Sequence, residues 1–373
     1  NFPDVRLNLG NIYSDLGNLK EAELSIRKAI KLKPDLAKAF INLGSILMRL
    51  GNLKEAELAL RKGIKLNPKI AKAYYALSII NPSSDNKIWK DKLFSESILK
   101  NQKKQDLVDI YFARANILEE NYNFSEASGI LKKANNLNRE IYGSDYSDIR
   151  RKMKSYYQVW QKNNIKLEER EEIPIPIFIV GMPRSGKSIT ESILACNNKV
   201  IKCGENSALE KSISIYLKAK KNSLNPSLSK IYFDHIEEDI YEKKFVCTTT
   251  PSNLIYTGLI TSQMPTAKII FCYRNPLDNI KEMYKKNMEN RHTYSCSIIE
   301  SANLFIEVYS LMKIYQKKFS SKIYFLNYDS LVRDTEEEIK YLINWLGWKN
   351  YNKYIEPNLD STTIKVTREL DSK

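Results

Sequence analysis

The chain has 373 residues, a formal net charge of +15, 43% hydrophobic residues and only 12 Gly and 12 Pro. That length points to two domains, and the composition excludes collagen-like, low-complexity and wholly disordered chains. The positive surplus is spread, 31 Lys and Arg against 22 Asp and Glu in residues 1–172 and 28 against 22 in the rest, so no nucleic-acid tail stands out.

The chain opens on Asn1 without a signal-peptide pattern, which reads as a fragment. The segment Gly17–Leu24 (GNLKEAEL) recurs at Gly51–Leu58, a shift of 34. The same shift relates Leu9 to Leu43, Gly10 to Gly44, Ala29 to Gly63 and Pro34 to Pro68. A 34-residue period with small residues at fixed places and a closing Pro resembles the tetratricopeptide repeat. Small residues at Gly10, Ala22 and Ala29 let the two helices of a unit approach closely, and larger apolar residues fill between units. A degenerate unit follows from Ala71, with Ser78 at the Gly place and an interruption at Asn81–Ser84. A clearer unit returns with Ala115, Leu118, Ala127, Leu131 and Ala134. Four units therefore run to about Asn138, and a helical stretch at Ser144–Asn163 is expected to cap them within a solenoid of residues 1–165. Its helix-A face (Asn8, Tyr13, Asn42, Ser45) is expected to bind a protein or peptide; the alternative is a scaffold that only supports its neighbour.

The charge run at 168–172 and Ile173-Pro174-Ile175-Pro176 end the solenoid, because Pro cannot continue a helix. From there apolar strands (177–181, 244–247, 268–273, 322–326) alternate with helices (187–195, 254–264, 279–287, 298–317, 335–346). That alternation predicts a three-layer α/β domain over 173–373 with a mostly parallel sheet. Ligands in such sheets bind at the carboxyl ends of the strands. No apolar run nears the ~18 residues of a membrane span.

The loop Gly181-Met-Pro-Arg-Ser-Gly-Lys-Ser188 joins the first strand to its helix. Backbone amides of such a turn, aimed with a helix N-terminus, bind phosphate or sulfate oxygens. As spelled it satisfies G-x-x-x-x-G-K-[ST], the P-loop of nucleotide triphosphatases. Over its surroundings it resembles the phosphosulfate loop of the sulfotransferases. Cys203-Gly204-Glu205 looks like that family's G-E motif, and Thr248-Thr-Thr-Pro-Ser-Asn253 like its T-x-P-x-N segment. Ile269–Asp278, a strand running into Arg274-Asn-Pro, looks like the second signature. Phe325-Leu-Asn-Tyr-Asp-Ser-Leu331 resembles V-x-Y-E-x-L. The resemblance covers about 177–360, and its combination with repeats matches bacterial tetratricopeptide-repeat sulfotransferases, with elements shared by tyrosylprotein sulfotransferases.

The resemblance implies transfer of a sulfuryl group from 3′-phosphoadenosine 5′-phosphosulfate to an acceptor hydroxyl, with no metal required. Glu205 would take the acceptor's proton, and Arg184 and Lys187 would stabilise the leaving 5′-phosphate. Pro183, Arg184, Ser185, Gly186, Lys187 and Ser188 would cradle the donor, with Tyr328 beside it and Arg274 on the 3′-phosphate, where a guanidinium fork suits a dianion. Four departures accompany the match. Lys187 stands where the family has Thr, and Thr249 stands near the catalytic Lys of tyrosylprotein enzymes. Glu282 replaces a phosphate-binding Ser, and a carboxylate there repels the phosphate unless Lys281 or Lys285 compensates. After Ser361–Lys365 the closing T-x-S-x-Q-V-R segment is missing. Two other readings are open: a P-loop kinase or triphosphatase, for which Asp329 is the Mg²⁺-binding candidate, and a non-catalytic repeat adaptor. Cys196, Cys203, Cys247, Cys272 and Cys296 form no C-x-x-C pair, and only His235 and His292 could join them. Neither a disulfide framework nor a zinc site is indicated, and a reducing, cytoplasmic setting is expected.

Overall fold

The computed structural model describes residues 2–80, 87–162, 174–222, 224, 226–236, 240, 243–349 and 352–359. The expected interruption at 81–84, the charge run at 168–172 and the tail from Ser361 lie outside them. The chain divides into two compact units: residues up to Ser144 together with Tyr284–Ser297, and Asp145–Met283 together with residues from Ile298 onward.

The first unit is built from helical pairs, α1 (Pro3–Asp15) with α2 (Leu19–Leu32) and α3 (Ala37–Arg49) with α4 (Leu53–Leu66). They continue as α5 (Ala71–Ile80), α6 (Lys87–Phe94), α7 (Lys104–Glu120) and α8 (Phe124–Tyr142). The small residues act as the 34-residue period requires. A Cβ on Gly10 would lie 2.5 Å from Ile26, and one on Gly44 would lie 2.6 Å from Leu60, so a methyl at either place would have to push the facing side chain aside. Ala22, Ile26, Ala29, Leu47, Ala56 and Leu60 are fully buried between the helices. The third pair is degenerate: α6 has eight residues, and α5 packs instead along α7.

The second unit begins one helix earlier than the sequence suggests. Helix α9 (Tyr146–Lys162), expected as the cap of the solenoid, has its aromatic face in this unit. Trp160 meets Tyr315 edge-on with centroids 4.9 Å apart, Tyr156 meets Tyr256 at 4.8 Å, and Gly258 leaves the gap that Trp160 fills. Arg150 Nε adds a 2.8 Å bond to Glu307. Those rings need a buried partner surface, and this unit supplies it.

Five strands follow: β1 (Ile175–Val180), β2 (Val200–Lys202), β3 (Phe245–Thr248), β4 (Lys268–Tyr273) and β5 (Ile323–Asn327). They form one sheet of order β2-β3-β1-β4-β5, parallel at every pairing. The helices are α10 (Lys187–Leu194), α11 (Ala208–Lys221), α12 (Leu228–Phe233), α13 (Thr257–Gln263), α14 (Pro276–Tyr284), α15 (Ile298–Lys318), α16 (Tyr328–Arg333), α17 (Thr335–Trp345) and α18 (Asn352–Leu359). Alternate strand residues cover opposite faces. Ile177, Ile179, Ile270 and Cys272 join Leu194 of α10 and Ile339 and Leu342 of α17 in one core. Phe178 packs on Tyr232 of α12, and Phe271 on Tyr309 of α15, on the other. The sheet is therefore the middle of three layers, as a parallel sheet buried on both faces must be. No described helix is long and apolar enough to cross a membrane.

Candidate active site

Because every strand is parallel, all five carboxyl ends lie on one edge, and each carries a segment the sequence marks. The loop 181–186 follows the central strand β1, Cys203–Asn206 follows β2, Thr249–Asn253 follows β3, Arg274 follows β4, and Tyr328–Asp329 follows β5. The chain brings β3 and β4 to opposite sides of β1, which makes this the switch point where open α/β sheets bind ligands.

The loop is held by backbone conformations few residues tolerate. Gly181 has φ +151, and a Cβ there would lie 2.2 Å from the Cys272 carbonyl. Gly186, at φ +92, caps α10, and a Cβ there would lie 2.3 Å from the Tyr328 ring. Arg184 adopts φ +65, a left-handed conformation that costs a non-glycine residue energy and is concentrated at ligand sites. Asn279 of α14, fully buried, donates 2.8 Å to the Pro183 carbonyl and braces the loop from the next strand's helix. Ser185 is buried with no hydrogen-bond partner for its Oγ among the described residues; it lines a small cavity with Met182, Cys272 and Asn279. A buried hydroxyl without a partner and the free amides of an eight-residue helix's first turn are groups an anion satisfies. Ser188 is exposed in that first turn.

Lys187 is turned inward, 6% exposed, and its ammonium donates 2.9 Å to the Met182 carbonyl across the loop. Burial pushes its pKa down to about 8, opposed by Cys272 and Glu205 and assisted by Arg184. Arg184, half exposed, has its guanidinium 3.7 Å from the Glu282 carboxylate. The charge facing Glu282 is therefore Arg184. Lys285 is bound instead to Glu119 in the first unit.

Arg274 is mostly buried and lies 3.4 Å from Asp329, which also accepts a 2.6 Å bond from the Asn275 amide. Its guanidinium sits over the Tyr328 ring at 5.3 Å. Tyr328 is thus packed between Gly186 of the loop and Arg274, tying the ends of β1, β4 and β5 together. Asn327 caps α16 by accepting from the Asp329 amide at 2.9 Å, which fixes where Tyr328 and Asp329 emerge.

Glu205 is exposed beyond β2 and lies within electrostatic reach of Lys187. Its turn is held by groups the sequence reading missed. Glu191 of α10, 5% exposed, accepts a 3.0 Å bond from the Gly204 amide, and burial raises its pKa. Thr250 bonds the Asn206 amide at 2.9 Å and donates to its carbonyl at 2.8 Å, while the Thr249 amide donates 2.9 Å to the Gly204 carbonyl. Glu191 was findable as a carboxylate between Thr190 and Ile193 on the inner face of an apolar helix; Asn279 and Thr250 carry no such signal.

Comparison with known proteins gives this arrangement a family. Residues 176–352 match the model described as "Sulfotransferase family", and 3–36 and 37–70 each match the tetratricopeptide repeat. The chain joins tetratricopeptide repeats to a sulfotransferase-family domain. An uncharacterized protein of Aquifex aeolicus (strain VF5) is 26% identical over 294 residues, 71% of this chain and 38% of that protein. The chain thus spans about two fifths of the curated relative it matches. Among solved structures, the sulfotransferase STF1 of Mycobacterium tuberculosis H37Rv is similar at 12% identity, covering 78% of this chain and 86% of its own, with a TM-score of 0.34. Retinol dehydratase in a complex with retinol and PAP is similar at 16% identity, covering 53% of this chain and 67% of its own, with a TM-score of 0.29. Scores this low establish no shared fold, and the sulfotransferase domain rests on its own sequence and sheet.

Proposed function

We propose that the sulfotransferase domain transfers a sulfuryl group from 3′-phosphoadenosine 5′-phosphosulfate to an acceptor hydroxyl. One observation carries the reading: the loop 181–188 at the N-terminus of α10 and Arg274 on the adjacent strand share one edge of the sheet, bridged by Tyr328. Loop amides, Ser185, Lys187 and Ser188 suit a 5′-phosphosulfate, and Arg274 suits the 3′-phosphate that distinguishes this donor from other adenine nucleotides.

The chain's residues then divide the work. Glu205 takes the acceptor's proton, and Glu191 and Thr250 hold its turn in place. Lys187 and Arg184 face charge gathering on the departing phosphate, supplementing the loop amides. Arg184 must leave Glu282, or share it, to do so. In a kinase reading Asp329 would be free to hold Mg²⁺; here it is engaged by Arg274 and the Asn275 amide, which weighs against that chemistry. The repeats contribute a protein-binding face on α1 and α3, where Asn42 and Asn11 are bonded at 2.6 Å.

The test is transfer of radiolabelled sulfate from the donor to a panel of protein, sugar and phenolic acceptors, run with wild type and Glu205→Gln. Transfer by wild type and its loss in Glu205→Gln, with donor affinity kept, supports the reading. Donor binding with no transfer to any acceptor would favour a repeat adaptor.

A further inference from the structure

We propose that the third and fourth helical pairs form a peptide-reading surface whose resident ligand is the chain's own Tyr284–Ser297, and that this docking fixes the end of α14 that carries Glu282. The segment is part of the first unit, although the residues on both sides of it belong to the second.

Its contacts are those of a surface holding a folded loop of turns and one 3₁₀ helix by both backbone and side chains. Two side chains from different helices bond its backbone: Asn135 Nδ2 of α8 donates 2.9 Å to the Tyr284 carbonyl, and the Asn287 amide donates 3.0 Å to the Tyr75 hydroxyl of α5. Two more read its side chains. Asp109 of α7 accepts from Asn287 Nδ2 at 2.8 Å, and Glu119 of α7 pairs with the Lys285 ammonium at 2.5 Å. Tyr284 packs against the Val108, Phe112 and Leu131 cluster, and Thr293–Cys296 forms a short 3₁₀ turn against α8.

The reading helices are built for this occupant. Asp109, Asn135 and Asn138 are at most 3% exposed, which is costly for a carboxylate and two amides unless something hydrogen-bonds them. Asp109, Phe112 and Glu119 recur at spacings of three and seven and so share one face of α7. Lys72 and Tyr75 share one face of α5, and Lys72 lies 3.7 Å from Glu289 farther along the segment. The two main-chain bonds hold the loop, and the Lys-x-Asn pair at 285 and 287 fixes its register. A foreign peptide reaches this surface only by displacing the segment. Helix α14 runs through Asn279 and Glu282 into Tyr284, the segment's first residue. Releasing the segment frees the last turn of the helix that braces the loop.

The coupling half of the proposal rests on the donor reading; the docking half does not. The experiment measures, in the full chain, hydrogen exchange of 284–297 and the affinity of 3′,5′-adenosine bisphosphate. Variants are Asn287→Ala, Lys285→Glu, Glu119→Lys and the double charge swap. Exchange of 284–297 should rise at least tenfold in each single variant and return toward wild type in the double swap, with α1–α4 unchanged. Nucleotide affinity should rise as Glu282 loses its fixed place against Arg184, and should return in parallel. Unchanged exchange in Asn287→Ala and Lys285→Glu would overturn the docking. Raised exchange with unchanged nucleotide affinity would overturn the coupling. If wild type binds no nucleotide, the donor reading fails by itself and the exchange result alone decides the docking.

Discussion

The Arg184 guanidinium and the Glu282 carboxylate face each other at 3.7 Å, one from a strained turn of the anion loop and the other from the last turn of α14. Glu282 therefore acts on an incoming anion twice, by its own charge and by engaging a loop cation. Glu282→Ser should tighten 3′,5′-adenosine bisphosphate by about 0.5–1.5 kcal/mol, the modest size expected of a partly exposed pair. In the Arg184→Ala background the effect should shrink to the part due to the Glu282 charge itself. Isothermal titration of both single variants and the double variant measures that coupling.

Arg274→Ala should weaken the bisphosphate by about 1.5–3 kcal/mol, the worth of a charge-assisted hydrogen bond. Adenosine 5′-phosphate, which lacks the 3′ group, should bind unchanged. Because Arg274 also faces Asp329 and covers Tyr328, its loss leaves a carboxylate without its counter-charge. Equal losses for both nucleotides would show that this structural role accounts for the whole effect.

Lys187 makes a pH-dependent contribution whose sign is fixed. Its folded pKa of about 8 lies below the ordinary lysine value of 10.5. Between those values the unfolded chain holds a proton that the folded chain has released, so stability rises with pH across that window. At pH 7 the buried ammonium costs stability, and Lys187→Thr should recover roughly 1–3 kcal/mol and flatten the rise. An anion in the loop pairs with the ammonium, so binding at pH 8–9 should take up protons, read as a dependence of binding heat on buffer ionisation enthalpy. Thr, the residue usual in the family, should retain donor binding, whereas Arg184→Ala should impair transfer more.

Asp109 has the opposite linkage. Burial raises its pKa from 3.8 to about 6, against lowering by Asn287 and Lys72, with Glu289 and Asp106 adding to the rise. Its stabilising share is full below the unfolded pKa and is lost as pH climbs through about 6. Asp109→Asn, which still accepts from Asn287, should stabilise the first unit at pH 7 by roughly 1–3 kcal/mol and remove the slope between pH 4 and 6. Denaturant midpoints of wild type and variant across that range provide the comparison. An identical slope in both would place the titration elsewhere.

Much of this molecule was legible because its signals are local. A 34-residue shift that repeats GNLKEAEL outright announces paired helices, and a strand followed by Gly181–Ser188 announces an anion loop. What escaped was short or non-local. The strand β2 has three residues, too few for any period to show, and α11 follows it with no side-chain cap to mark its start. Helix α9 reads correctly as a helix, but sequence does not say which core Tyr156 and Trp160 will join. Nor does it say that Glu282 will find Arg184, almost a hundred positions away, before the nearby Lys281 or Lys285. The path of 284–297 into the first unit depends on Asp109, Tyr75 and Asn135 meeting across 149 or more positions in sequence, a relation no window can contain.

The deciding measurement is a calorimetric titration of the full chain with 3′,5′-adenosine bisphosphate, set beside ATP with Mg²⁺, for wild type and Arg274→Ala. A sulfotransferase site binds the bisphosphate more tightly than ATP, needs no Mg²⁺ to do so, and loses that preference with Arg274. Tighter, Mg²⁺-dependent ATP binding that Arg274→Ala leaves intact and Lys187→Thr abolishes would contradict sulfuryl transfer and make the loop a kinase or triphosphatase site.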